Sequence, residues 1–154
     1  MKRSIRPALL VLVLVLAACQ PRAVANDPVV ASVRANDVAA VAAFVADGGD
    51  VNLTDREGNP LLYLATGPQG GPEVAAALIA AGARLEIASA NGRRPLENAV
   101  GWCDVDMVQL LLFAGADPMP LADGRAEDVA CKAPADRRAT VLAMIASAIG
   151  AKIN

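Results

Sequence analysis

At 154 residues with 16 acidic and 14 basic side chains, the chain has room for one domain of ordinary size and lacks the excess positive charge that nucleic-acid binding needs. Histidine is absent, which removes the commonest general base and the commonest metal ligand. Aromatic residues make up only 3% and alanine fills many apolar positions, so the core should consist of closely spaced helices rather than large rings.

The first residues read as a targeting segment. Lys2, Arg3 and Arg6 form a basic start, and Ala8–Leu16 is an unbroken apolar run, too short to span a bilayer well but right for a signal-peptide core. The following Leu16-Ala17-Ala18-Cys19 resembles the lipobox of bacterial lipoproteins. That resemblance implies cleavage before Cys19, diacylglycerol on its sulfur, acylation (palmitate-type) of the new amino end, and a membrane anchor through the N-terminal lipid. Gln20 after the cysteine is similar to Gram-negative lipoproteins held at the outer membrane facing the periplasm. Loss of residues 1–18 would remove three basic residues and no acidic ones, leaving a net charge of −5. A body so charged should stand off anionic lipid heads. Residues 19–27, polar and containing Pro21, read as the lipidated end and a short linker.

A helix is expected from Pro28, with Asp27 as N-cap and proline in the first helical position. From there the chain is periodic. VAAVAAFVADGGD (38–50), EVAAALIAAGARL (73–85) and VDMVQLLLFAGAD (105–117) share one cadence, an apolar helical run that stops at a glycine. In the last of these, Val108, Leu111 and Leu112 fall at i, i+3 and i+4, one face of a helix. The stopping glycines Gly48, Gly82 and Gly115 lie 34 and 33 residues apart. Twelve residues before each stands Asn36, Gly70 or Cys103, where a preceding helix should end; Asn and Gly suit a left-handed cap there, cysteine less so. Downstream come Glu57-Gly58-Asn59, Asn91-Gly92 and Asp123-Gly124, each a hairpin or turn signal. The unit is helix, helix, hairpin tip. A period of this length marks a repeat architecture in which each unit packs on its neighbours.

The repeats resemble the ankyrin family. Gly58-Asn59-Pro60-Leu61-Leu62-Tyr63-Leu64-Ala65 and Gly92-Arg93-Arg94-Pro95-Leu96-Glu97-Asn98-Ala99 stand where ankyrins have Gly-x-Thr-Pro-Leu-His-x-Ala. Phe44-Val45-Ala46-Asp47-Gly48-Gly49-Asp50-Val51-Asn52 and Leu111-Leu112-Phe113-Ala114-Gly115-Ala116-Asp117 are similar to the Leu-Leu-x-x-Gly-Ala-Asp ending, and Gly124–Ala130 looks like the start of a fourth unit. The resemblance implies an all-α ankyrin-repeat solenoid over 28–149, with units near 28–52, 53–86, 87–119 and 120–149 and a tail at 150–154. Ala135–Ile149 reads as a capping helix. Two departures carry expectations. Pro60 and Arg94 replace the family's threonine, and Tyr63 and Glu97 its histidine, so the bond pair those residues make between repeats should be missing. Gly67–Pro72 holds one extra residue, so the first helix of unit two should be short and its loop loose.

An ankyrin-like solenoid implies protein–protein interaction through the concave face. Arg56, Tyr63, Arg93, Arg94, Glu97 and Trp102 fall at the tips or inner helices and form the candidate partner-binding set; the partner itself is unknown. A periplasmic inhibitor or immunity-type protein is an alternative of the same class. Cys103 and Cys131 are the only cysteines after Cys19, and in an exported compartment they are candidates for a disulfide between stacked units. The remaining chemical option is a hydrolase using the carboxylates of Asp123, Glu127 and Asp128. Glu127 and Asp128 are better explained as charge at a helix start, and Asp104 as an N-cap. The sequence shows no nucleophile beside a base, phosphate-cradling loop or metal-ligand spacing. No catalytic residue, metal, cofactor, small-molecule substrate or nucleic acid is therefore expected.

Overall fold

The computed structural model describes residues 28–132 and 134–153. The expected targeting segment, Cys19, the expected linker and Asp27 lie outside the described residues. Eight helices follow in order: α1 Pro28–Arg34, α2 Val38–Ala46, α3 Leu61–Ala65, α4 Pro72–Ala80, α5 Pro95–Trp102, α6 Val105–Phe113, α7 Arg125–Val129 and α8 Ala135–Ile153, with a 3-10 turn at Met119–Leu121 before α7. Among the described residues the only extended pairing is an isolated antiparallel bridge, Thr54 to Pro60. The all-α reading holds.

Successive helices pair within a unit, α1 with α2, α3 with α4, α5 with α6 and α7 with α8. Across units the odd helices touch one another in order (α1, α3, α5, α7), and so do the even ones (α2, α4, α6, α8). Two rows therefore stack side by side, an inner row of odd helices and an outer row of even ones, as the periodicity predicts.

The same local chemistry ends the outer helices α2, α4 and α6. Gly48, Gly82 and Gly115 have φ of 76°, 92° and 97°, a geometry that costs an L side chain about 1–2 kcal/mol. The next residue then returns its N–H to the carbonyl five back: Gly49 to Phe44, Ala83 to Leu78 and Ala116 to Leu111, all at 2.9 Å. This is the capping bond pattern that satisfies otherwise orphaned carbonyls. At the other end, Asp37 and Asp104 accept the N–H of Ala40 and Met107 at 3.0 Å, so both are N-caps.

The inner helices divide. Asn36 (φ 52°) and Cys103 (φ 50°) adopt the left-handed cap that the spacing predicts, and Asp37 and Asp104 bond back to Ser32 and Ala99. Gly70 does not. Helix α3 has only five residues and is capped by Thr66 at φ −83°, so the extra residue of unit two carries Gly70 into the loop. There glycine is needed for a different reason: a Cβ would collide with the Ala65 carbonyl.

Buried Val, Leu, Ala and Met fill the core, with Cys103, Ile145, Val33, Val41, Leu61, Leu78 and Val100 almost fully enclosed. None of the four aromatic residues is in it. Phe44 is half-buried over Gly49, where a Cβ would strike its ring, and Phe113 is 93% exposed. In α6 the buried residues are Met107, Val108 and Leu111, while Leu112 is only partly covered. The buried face is thus centred about one residue earlier than the Val108-Leu111-Leu112 triplet suggests. The last helix also runs beyond Ile149, to Ile153.

Candidate interaction surface

The inner row and the tips carry the sequence-nominated residues, and the structure sorts them. Tyr63 on α3 and Trp102 at the end of α5 line one groove of ≈ 220 Å³, together with Arg34, Leu64, Gly67, Pro68, Gln69 and Asn98. Trp102 is 54% exposed. Its place follows from α5 ending at Cys103, whose left-handed turn stops the helix and leaves the indole at the rim.

Each wall of the groove is fixed. Thr66 donates its hydroxyl to the Tyr63 carbonyl at 2.7 Å, and buried Asn98 donates from Nδ2 to Thr66 Oγ1 at 2.9 Å. That second bond ties α5 to the end of α3, beside the groove that Asn98 lines. Arg34 bonds Asp55 Oδ2 at 2.8 Å, with the carboxylate side chain 3% exposed. Asp55 also accepts the N–H groups of Asn59 (2.8 Å) and Glu57 (3.1 Å) and the Asn59 side-chain amide (3.2 Å). Burial alone would raise the Asp55 pKa; the Asn59 bonds, Arg34 and the Glu57 bond outweigh it and hold the carboxyl below its ordinary 3.8. The carboxylate organises the tip of unit two and anchors unit one to it. Ser89, 34 residues on, organises the tip of unit three with neutral bonds to Asn91 Oδ1 (2.6 Å) and the Arg93 carbonyl (2.9 Å).

The other nominated residues do not enter the groove. Arg56 is exposed on the second tip. Arg93 is exposed too, with Nη1 3.5 Å from the place a Cβ on Gly101 would occupy, so it lies along α5 just before Trp102. Arg94 is half-exposed and paired with Glu86 at 3.0 Å. Glu97 is 4% exposed and lies inside the fold rather than on the contact surface. Its carboxylate accepts the Arg94 N–H at 3.0 Å and the Arg125 guanidinium at 3.1 Å.

The family's threonine–histidine pair is absent, as its substitutions imply, but other bonds between repeats take its place. Glu97, standing in the family's histidine position, caps its own helix and reaches unit four through Arg125. Tyr63, in the same position of unit two, accepts a long bond from Asn91 Nδ2 of unit three, at 3.4 Å. A carboxylate and a phenol do the work by different chemistry. Sequence reasoning missed Arg34, Thr66 and Asn98. For Asn98 the one local signal was a polar residue inside a helix, which is buried only when bonded and whose partner the chain does not show locally; Thr66 caps α3 and Arg34 is exposed, so neither carried it.

Cys103 and Cys131 form a disulfide with a Cα–Cα distance of 5.6 Å, joining the end of α5 to the segment after α7. The alternative chemical site is dispersed. Asp123 (φ 55°), Glu127 and Asp128 are all exposed, on a tip and the first turn of α7, and no group of three potential metal ligands occurs among the described residues. Besides a groove of ≈ 320 Å³ on the outer row between α2 and α4, two larger ones lie elsewhere. One of ≈ 760 Å³ runs along the outer row between α6 and α8, beside Phe113. The other, of ≈ 480 Å³, lies at the end of the stack between α7 and α8.

No curated protein matches the chain. The family model described as ankyrin repeats (three copies) matches residues 29–121, which is the span from α1 to the 3-10 turn and contains both walls of the Tyr63–Trp102 groove. With two stacked rows of helices, glycine-capped outer helices and turn-tipped units across the same span, the chain belongs to the ankyrin-repeat family, a class of protein–protein interaction module.

Proposed function

We propose that this protein is a lipid-tethered, periplasm-facing adaptor that holds one partner protein in the Tyr63–Trp102 groove of its inner face. The observation that carries the reading is the convergence of the lone tryptophan, the lone tyrosine, Arg34 and Asn98 on one groove built by three successive inner helices. A half-exposed tryptophan rimmed by polar groups is the kind of anchor that dominates binding energy in interfaces. The groove is held by bonds within the fold, so little conformational freedom is lost on binding. Arg93, beside Trp102, and Arg56 extend the surface toward the tips. Glu97 and Arg94 act from beneath, as supports.

The tether rests on the basic start, the apolar run and Leu16-Ala17-Ala18-Cys19, and the Cys103–Cys131 disulfide fits an oxidising compartment. Both halves can be tested in one strain series. A photo-crosslinking residue at Trp102 or Gln69 should trap one discrete partner, a residue at Asp106 on the outer row should not, and Trp102→Ala should abolish the adduct seen from position 69. Equal trapping from both sides would refute the inner-face reading. Incorporation of a clickable palmitate analogue should require Cys19; labelling that survives Cys19→Ala would refute the tether.

A further inference from the structure

The stack ends in a way that a closed solenoid does not. A terminal repeat normally turns a polar face to solvent, because no further unit covers it. Here Leu142, Ile145, Ala146, Ile149, Gly150 and Ile153 of α8 recur at i, i+3, i+4, i+7, i+8 and i+11 and line a groove facing the 3-10 turn and α7. Its opposite wall is made by Met119 and Ala122, and enclosed Leu121, Ala126 and Ile145 form the floor. Ile153 is 71% and Met119 40% exposed, and a Cβ on Gly150 would meet nothing within 4 Å. The stripe runs for about 17 Å at 1.5 Å per residue, three turns of helix.

We propose that this end groove docks one helix of a partner protein, an amphipathic helix whose apolar stripe is flanked by lysine or arginine. The apolar lining and its small residues, Ala122, Ala126, Ala146 and Gly150, fit a helix laid along the groove by its apolar face. Charge decides what flanks that face. Among the described residues, the only ionisable ones lining the groove are Asp123 and Glu127, both exposed. Of the cations on the flanking segments, Arg125 pairs with Glu97 and Lys152 with Asp117; Arg138 bonds the Glu127 backbone carbonyl and keeps its charge, and it, Lys132 and Arg137 lie outside the groove lining. A second copy of this chain, packed about a two-fold axis, would bring four carboxylates and no lining cation into one interface, a like-charge arrangement that costs affinity. An anionic lipid surface would be repelled by them as well. A basic amphipathic helix satisfies both the stripe and the rim.

The test uses the oxidised chain and three fluorescein-labelled 18-residue designed peptides read by anisotropy: a leucine-striped helix flanked by lysines, the same stripe flanked by glutamates, and the lysine composition with its stripe scrambled. The lysine-flanked helix should bind saturably and one to one, at least tenfold more tightly than either other peptide. Ala146→Arg, at an exposed position inside the groove, should weaken it at least tenfold, as should Asp123→Asn combined with Glu127→Lys. Trp102→Ala should leave it unchanged, which separates this site from the inner-face groove. The carboxylate variants keep the test decisive if Ala146→Arg perturbs folding by circular dichroism. Equal binding of the lysine and scrambled peptides would reduce the effect to net charge, and equal binding of the lysine and glutamate helices would remove the rim's role; either result overturns the proposal. So would sedimentation of the chain alone as a dimer that Ala146→Arg dissociates, since the occupant would then be a second copy.

Discussion

The two ends of the stack are fastened by different chemistry. Between units one and two the link is polar: Arg34 reaches the enclosed Asp55 carboxylate, and Asn36 bonds Glu73 at 3.1 Å. Between units three and four it is covalent, through Cys103–Cys131, with the Glu97–Arg125 pair beside it. Both links start at the same place in their units, the last turn or cap of an inner helix. The sequence position is shared, yet one junction uses protonatable groups that respond to pH and the other a bond that responds to redox poise. A short solenoid has little core to spare per unit, so its end units depend on such fasteners.

The sharpest way to break the comparison is at the covalent end. Cys103→Ala with Cys131→Ala should lower stability by about 3.5 kcal/mol, from the loop-closure entropy of a loop of this size, and the same loss should follow reduction by dithiothreitol. Hydrogen exchange should then quicken first in α7 and α8 and leave α1–α3 nearly unchanged. Uniform acceleration along the chain would show that the bond serves the whole stack rather than its last junction. A finer version exploits the backbone. Cys103 sits at φ 50°, so replacing it with glycine instead of alanine in the double variant should restore about 1 kcal/mol, the cost of a side chain in left-handed geometry.

At the polar end, Asp55→Ala should cost about 2 kcal/mol in urea unfolding at neutral pH. It removes the acceptor of three N–H bonds and a guanidinium, and the loss is tempered because Arg34 is 45% exposed and can return to water. The pH dependence follows from the direction of the shift. A carboxyl whose folded pKa lies below its ordinary 3.8 binds fewer protons folded than unfolded. Its contribution is therefore complete above that value and is lost as pH falls below it. Asp55→Asn should flatten this acid limb; the disulfide variants should keep it. If Asp55→Asn leaves the acid limb unchanged, the titrating link lies elsewhere, and Asp117, also held low by Lys152, is the next group to test. Glu97→Gln should cost less, about 1 kcal/mol, because the amide oxygen can still accept the Arg94 N–H while the pair it loses involves a guanidinium 61% exposed.

The repeat, its two helices and its three outer glycine caps were legible because each is written locally, in apolar spacing and in a residue that tolerates positive φ. The Cys103 cap was legible from spacing alone, though its residue type argued against it. What the sequence concealed was long-range. Glu97 looked like a surface residue because nothing nearby in the chain shows that Arg125, 28 residues on, would come to meet it. Gly70 looked like a cap because the interval of twelve holds, but a loop one residue longer moved it out of register. In α6, Met107 outranks Leu112 because burial is set by the neighbouring units, which hydrophobicity within one helix does not report. Of the proposed groove, Tyr63 and Trp102 were readable as rare aromatics at inner positions. Arg34 and Asn98 were not, since their roles exist only across a stacked interface.

The smallest expected effect on stability is at Trp102, and it is the one that separates function from fastening. The indole is 54% exposed and caps neither junction, so Trp102→Ala should change unfolding free energy by under about 1 kcal/mol. An anchor in a desolvated interface is worth about 2 kcal/mol or more, so partner affinity should fall roughly 30-fold or beyond. Asp55→Asn should show the reverse balance, a loss of stability with affinity reduced only as far as Arg34 moves. If Trp102→Ala instead destabilised the fold by 2 kcal/mol or so, about what a buried large side chain contributes, the tryptophan would be a lid over the unit-two loop, and the inner groove would be one more fastener rather than a place to bind.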